Sequence, residues 1–366
     1  MSHLTNIILV VFFADLLLTP TVASLCRFNP IKKLDERRAL AAKPRSCPTW
    51  RECLSSTSSV AALAQAWDKY YTDHFGLRKL LIGTYRLALF HVLRTSPNPA
   101  VVVGRSNGGQ RWLFYDGPIA NDGSGFESLL GKKPYTDQEL ALIARNLTRW
   151  TELAQRNGVK LLILPIPDKQ SIYPENLPRR LQPTAGSRSR LDQFWTMAEK
   201  LKGVPLIDIR SALRTAKQTK QVYYATDNHW NEQGALIAYQ LLMDALRLQD
   251  NGRGALPKDA IRWMPPMPGI SDNLLVSGLP VPVGEWPVIP ILPTSQPPDG
   301  SRRGKLLVLS DSFFEGIQPY FEYEFAVVKI RRTDRSAQQD LITQGLLDAE
   351  KPDALLLEAV ERYWTS

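Results

Sequence analysis

Lys305, Leu306, Leu307, Val308, Leu309, Ser310, Asp311, Ser312, Phe313, Phe314 is the stretch on which the reading of the fold turns. An apolar run of strand length passes without alternation into a short polar turn and then into an apolar segment read as helix over Phe313 to Tyr323. An unbroken apolar run is what a strand buried on both faces requires, as in a parallel sheet covered by helices. The same rhythm recurs on either side. Val159 to Leu164, Val204 to Ile209, Phe325 to Ile330 and Ala354 to Leu357 read as further buried strands. Helical patterns at Thr136 to Asn157, Leu191 to Lys202, Glu232 to Leu248 and Ser336 to Glu350 separate them. Asn231 has the side chain to cap the third of these helices. The alternation predicts an α/β fold, a doubly wound and mainly parallel sheet of about five strands flanked by helices. Such sheets bind ligands beyond the carboxyl ends of their strands, so chemistry is sought in the turns after Leu164, Ile209, Leu309, Ile330 and Leu357.

Upstream the rhythm differs. Val60 to Arg94 carries apolar residues at helical spacing, with a break at Gly76, and forms a helical accessory segment. Val101 to Val103 and Trp112 to Tyr115 read as short strands. The expected division is 1–25 as signal peptide or membrane anchor, 26–99 as the accessory segment and 100–366 as the sheet domain. Within the sheet domain, 257–298 is rich in proline and expected to be an extended surface excursion. The apolar run Asn6 to Leu18 suits export or anchoring, with a buried core helix as the bland alternative. Three cysteines supply no paired zinc motif, and no metal site is expected. Cys47 and Cys53 are spaced for a small disulfide loop or stand as free thiols.

A chain that is 44% hydrophobic and 22% charged is not a disordered one, and its net charge of +9 favours polyanionic partners. It has neither zinc-finger spacing nor an RNA-binding aromatic signature, so nucleic acid is not the expected partner. Ser312, at the end of the decisive strand, sits where free helix amides can meet a developing oxyanion, although serine is also a favoured cap. A serine nucleophile needs a base, and of four histidines only His229 stands ahead of a helix in the sheet domain. The positive end of that helix should favour its neutral form. Asp227, two residues before it, can orient the ring.

The run Asp227, Asn228, His229, Trp230 resembles the Asp-x-His-Trp signature of the SGNH-hydrolase-like alginate O-acetyltransferase family of the AlgJ/AlgX type. Ser310, Asp311, Ser312, Phe313 is similar to its Gly-Asp-Ser-Phe block, with serine in place of the glycine. Further likenesses lie in Asp35 to Arg38, Asp73 to Arg78, Trp112 to Phe114, Lys169 with Tyr173, and Glu361 to Tyr363. The resemblance implies acetyl transfer through an acyl-serine at Ser312 onto hydroxyls of an extracytoplasmic polysaccharide, with His229 as base and Asp227 holding it. It implies no cofactor, a periplasmic location, and an acetyl donor supplied through a membrane-bound O-acyltransferase. Carbohydrate acetylesterase and non-catalytic polysaccharide-binding or assembly protein are the other readings of the same residues. Lys169, Tyr173, Arg331 and Arg332 follow predicted strands and are candidates to hold an anionic or hydroxyl-rich glycan, with surface solvation as the plain alternative for each.

Overall fold

The computed structural model describes residues 57–364 apart from 108–109, 117–124, 251–253, 266–267, 270, 280–283, 286–287, 294–301 and 333–340, together with 39–44 and scattered residues of the first 26. Asp35 to Arg38, Cys47 and Cys53 lie outside the described residues. The chain divides into two compact units, 1–98 with 277–282, and 99–276 with 283–366.

The first unit contains α1 (Thr57–His74) and α2 (Arg78–His91). The predicted break falls here, but its left-handed residue is Leu77, at φ 65°, rather than Gly76. Arg78 closes the corner by donating to the Thr72 carbonyl at 2.7 Å. Among the described residues no helix is long and apolar enough to cross a membrane.

The second unit opens with an antiparallel hairpin, β1 (Val101–Asn107) and β2 (Gln110–Tyr115). Then follow α3 (Asp137–Arg156), β3 (Lys160–Ile166), α4 (Arg190–Ala198), α5 (Arg210–Ala216) and α6 (Glu232–Asp250). The chain finishes with β4 (Arg303–Ser310), α7 (Gln318–Glu324), β5 (Phe325–Arg332), α8 (Gln344–Glu350) and β6 (Ala354–Val360). Helix α3 begins in a capping box between Thr136 and Glu139 and stops at Gly158, whose φ of 66° suits a residue without Cβ. Asn231 caps α6 as expected, its Oδ1 accepting from the amides of Gln233 and Gly234 at 3.1 and 3.2 Å. Such a cap contributes roughly 1 kcal/mol.

The strands form one parallel sheet in the order β3-β6-β4-β5. Successive side chains of β6 point to opposite cores. Leu356 and Val360 pack with Leu162, Val308 and the buried face of α6; Leu355 and Leu357 pack with Leu147 and Trp150 of α3 and Phe194 of α4. Both faces are therefore covered, which is why β4 and β6 read as unbroken apolar runs.

Two expectations need correction. The fifth strand, Val204 to Ile209, is a single parallel bridge of Leu206 to Ile163, so the sheet has four strands. The Ile163 amide donates to the Pro205 carbonyl and the Ile207 amide to the Ile163 carbonyl. The pairing then ends, because Pro205 has no amide and Asp208 accepts from the Arg210 amide at 2.9 Å to start α5. The helix expected over Phe313 to Tyr323 is a 3-10 turn, Ser312–Gly316, followed by α7. Pro319, in the first turn of α7, cannot continue a preceding helix but is well suited to begin one.

Candidate active site

β4 ends at Ser310, and Asp311 turns the chain so that Ser312 stands exposed above the carboxyl edge of the sheet. Asp311 holds this turn with both carboxylate oxygens: Oδ1 accepts from the Phe313 amide at 2.9 Å and Oδ2 from the Val360 amide at 2.8 Å. The second bond ties the turn to the end of neighbouring β6. Arg332, at the end of β5, donates to the Asp311 carbonyl. Glu358, two residues before Val360 on β6, is fully buried. Burial, with the charge of Asp311 adding to it, pushes its carboxyl well above the ordinary 4.5.

The second segment is the loop before α6. Residues 222–231 fold back on themselves: Tyr223 and Trp230 form an antiparallel bridge, and the Tyr224 amide donates to the His229 carbonyl at 3.2 Å. Asp227 and His229 project from the tip. His229 Nδ1 is 2.6 Å from Asp227 Oδ1, and His229 Nε2 is 2.7 Å from Ser312 Oγ. With Asp227 ionised, Nδ1 carries the proton and donates to it, which leaves Nε2 to accept from the serine hydroxyl. Burial works against ionisation of Asp227, but the hydrogen bond and charge of His229 and the amides of His229 and Asp272 outweigh it and hold the carboxyl well below its ordinary value. Burial likewise works against the imidazolium, yet Asp227, then Asp272 and Asp311, lift His229 above its ordinary 6.5. The helix end is expected to favour the neutral ring; the carboxylates of Asp227, Asp272 and Asp311 act in the opposite direction.

Aromatic packing joins the two segments. Phe313 lies under the His229 ring at 4.8 Å between centroids and meets Trp230 edge-on at 5.4 Å. Trp230 in turn presses on Gly316, where a Cβ would come within 2.6 Å of its Nε1. The tryptophan beside the histidine thus packs base loop against nucleophile turn. In front of them opens a cavity of about 380 Å³, lined on its apolar side by Tyr224, Val288, Pro290, Phe313 and Pro319. Asp227, His229 and Asp272 place ligand atoms within 4.8 Å of one another, but the triplet's shortest contact is the Asp227 hydrogen bond to His229, which a cation would have to displace.

Of the residues expected to hold a glycan, none lines this cavity. Lys169 is sealed in the core, its Nζ donating to the carbonyls of Leu113, Tyr224, Ala225 and Asp227, the last at 2.5 Å. An ammonium so buried needs those acceptors, and it braces the backbone beneath Asp227. Tyr173 is buried as well, its hydroxyl accepting from the Val222 amide at 3.0 Å. Arg331 pairs with Glu350 at 2.5 Å and Arg332 with Glu315 at 2.5 Å. The terminal Glu361 accepts from the Asp168 amide and Ser171 hydroxyl at 3.0 and 2.8 Å, and Arg362 pairs with Asp168. Those contacts fix the turn that carries Lys169.

Sequence reasoning missed Ser271, Asp272 and Asn273, which lie inside the proline-rich excursion and reach back to the base loop. Ser271 donates to the Thr226 carbonyl at 2.8 Å, the Asp272 amide to Asp227 Oδ2 at 2.7 Å, and Asn273 to Asn228 Oδ1 at 2.9 Å. The available signal was a helix-start pattern, Ser-Asp-Asn before Leu274 to Val276, within a segment otherwise broken by proline.

A parallel sheet with Asp, His and Ser hydrogen-bonded in series on its carboxyl edge is the arrangement of serine-dependent α/β proteins, the SGNH hydrolase-like fold among them. Comparison with known proteins agrees: residues 101–269 match the family described as SGNH hydrolase-like domain, acetyltransferase AlgX. The match includes Asp227 and His229 and stops short of Ser312. The chain is 32% identical over 203 residues to the probable alginate O-acetylase AlgJ of Pseudomonas aeruginosa, covering 56% of this chain and 47% of that protein. It is 29% identical over 180 residues to the AlgJ of Azotobacter vinelandii, covering 49% and 42%. The chain therefore spans about half the length of the curated relatives it matches. In fold it is similar to the O-acetyltransferase domain of Pseudomonas putida AlgJ, with a TM-score of 0.50 and 22% identity over 73% of this chain and 92% of that domain. A DHHW family protein from Eubacterium siraeum gives the same TM-score at 15% identity, over 73% of this chain and 96% of its own. Residues 101–269 thus match an SGNH hydrolase-like domain of the AlgX type, and the chain shares its fold with the O-acetyltransferase domain of AlgJ.

Proposed function

We propose that the protein is a serine-dependent polysaccharide O-acetyltransferase acting outside the cytoplasm, with Ser312 as nucleophile, His229 as general base and Asp227 as its orienting carboxylate. The observation that carries the reading is the unbroken series from Asp227 Oδ1 through His229 to Ser312 Oγ, at 2.6 and 2.7 Å. In the first half-reaction Ser312 Oγ attacks the acetyl carbonyl while its proton passes to His229 Nε2. The tetrahedral intermediate expels the donor's oxygen, which takes that proton, and acetyl-Ser312 remains. In the second, a sugar hydroxyl gives its proton to Nε2 and attacks the acetyl-serine. Collapse leaves the acetylated sugar and returns the proton to Ser312. The Phe313 amide is already taken by Asp311, and the Ser312 amide at the start of the 3-10 turn is the donor this reading assigns to the oxyanion. Delivery of acetyl groups by a membrane-bound O-acyltransferase, a periplasmic location, and residues 100–366 as the catalytic domain belong to the same proposal.

The test is intact-protein mass spectrometry after exposure to a small activated acetyl ester, beside Ser312→Ala and followed by a chase with oligosaccharides. An adduct absent from the variant and discharged faster by sugar than by buffer is expected. Discharge by water alone makes the protein an esterase. A folded protein that forms no adduct is not an acyl-serine enzyme.

A further inference from the structure

The charge around the cleft runs opposite to that of the chain. The protein has a net charge of +9, yet the described lining of the cleft carries four carboxylates, Asp227, Glu232, Asp272 and Glu315, and no lysine or arginine. Asp227 is balanced by His229 when the ring is protonated. Asp272 is exposed, with Oδ2 3.8 Å from His229 Nδ1. Glu315 is exposed too, and Arg332, its partner, also donates to the Asp311 carbonyl. Arg331 and Lys329, on the same strand, both pair with Glu350. Lys169 is sealed beneath the base loop. Of the basic groups expected to meet an anionic polymer, Lys169 and Arg331 are engaged away from the cleft, and Arg332 is held beside it by Glu315 and the Asp311 carbonyl. The acids also act on one another: burial first, then the charge of Asp227, with Glu315 adding and His229 opposing, lifts the Asp272 carboxyl above its ordinary 3.8.

A sugar carboxylate entering this cleft would meet like charges beside Ser312 with no described cation lining the cleft to receive it, and like charges disfavour the wrong partner. An uncharged pyranose meets no such repulsion, and the apolar walls of Val288, Pro290 and Pro319 suit its C–H faces. We propose, resting on the transferase reading above, that the cleft accepts glycans without carboxylate groups, neutral or amino-bearing, and discriminates against uronate polymers such as the alginate in the relatives' names.

The experiment compares cello-oligosaccharides, chitosan oligosaccharides and oligouronates of matched length on the purified full chain. Discharge of acetyl-Ser312 is followed by mass spectrometry at low and high salt, and binding of the same oligomers to the Ser312→Ala protein is measured by calorimetry. Uronates are expected to discharge the acetyl group at least about tenfold more slowly at low salt, with the gap narrowing as salt screens the carboxylates. They should also bind the Ser312→Ala protein more weakly. Asp272→Asn combined with Glu315→Gln should raise the uronate-to-neutral ratio in both measurements. Equal or better discharge or binding by uronates overturns the proposal, as does failure of every oligomer to bind at millimolar concentration. Should no acetyl-serine form, the transferase reading falls while the binding comparison still decides the preference.

Discussion

The two segments that meet at the site are held in opposite ways. The nucleophile turn is fixed mainly by its neighbours: Asp311 binds the amide two residues on and that of Val360 on the adjacent strand. The base loop is fixed from afar, by Lys169, by Asn273 and by the β2 amide of Leu113, which donates to the Ala225 carbonyl at 2.8 Å. A turn at the end of a central strand inherits the sheet's rigidity. A loop before a helix inherits nothing and has to be braced. Substitutions near Ser312 should therefore alter chemistry with little change in stability, whereas substitutions under His229 should change both.

The largest effect is expected at the contact between the two segments. His229→Ala should lower the rate of acetyl-serine formation by about 10³-fold or more, since a serine hydroxyl without its base is a weak nucleophile. Its thermal midpoint should fall only slightly, because the ring is partly exposed at the cleft and its aromatic contact is with Phe313, which Trp230 also covers. A large fall in midpoint would contradict the division of labour drawn above.

Asp227→Asn comes next, with a loss of about 10² to 10⁴-fold, and it carries a pH signature. His229 must be neutral to accept a proton, so the rate should rise with pH through an inflection above the ordinary 6.5, reflecting the raised pKa. The amide removes the largest attraction for the imidazolium while burial, which lowers the pKa, remains. The inflection should therefore move down in the variant. An inflection that stays in place would mean that Asp272 and Asp311, not Asp227, set the base.

How far this arrangement could be read in advance follows the same line between local and remote. The apolar run of β4, the stop at Gly158, the Asn231 cap, the pair Asp227 and His229, and the turn that carries Ser312 each rest on residues within a few positions of one another, although Ser312 lies 83 residues from His229. Local preference and periodicity report such features. Lys169 reads in the sequence as a glycan contact because a lysine after a strand ordinarily reaches solvent; only the folding of β2 and the base loop over it supplies its carbonyls. Ser271 to Asn273 were hidden for the same reason, some 45 residues from the loop they hold. Val204 to Ile209 failed the other way, since apolar content suggested a strand that Pro205 and Asp208 cut to one bridge.

Lys169→Met tests the remote bracing by stability. The substitution keeps the side-chain length but takes the ammonium from the Tyr224 and Asp227 carbonyls, while Leu113 and Ala225 keep the donors Asn273 and the Leu113 amide, at a cost of about 3 kcal/mol. For a unit of this size the midpoint should fall by roughly 10 °C in calorimetry. Activity per folded molecule should fall as well, because the Asp227 backbone loses its support. An unchanged midpoint would show that the loop holds itself.

Asn273→Ala is the gentlest probe and separates bracing from charge. It removes hydrogen bonds to Asn228 Oδ1 at 2.9 Å and to the Leu113 carbonyl at 3.1 Å, and leaves the Asp272 amide free to keep its bond to Asp227. Two lost neutral bonds should cost about 1 to 2 kcal/mol. The rate should drop only several-fold as the loop samples looser positions, and the pH inflection of His229 should not move, since no charge near the ring has changed. A displaced inflection would mean that Asn273 acts on the base through Asp227, and that positioning and electrostatics in this loop cannot be separated.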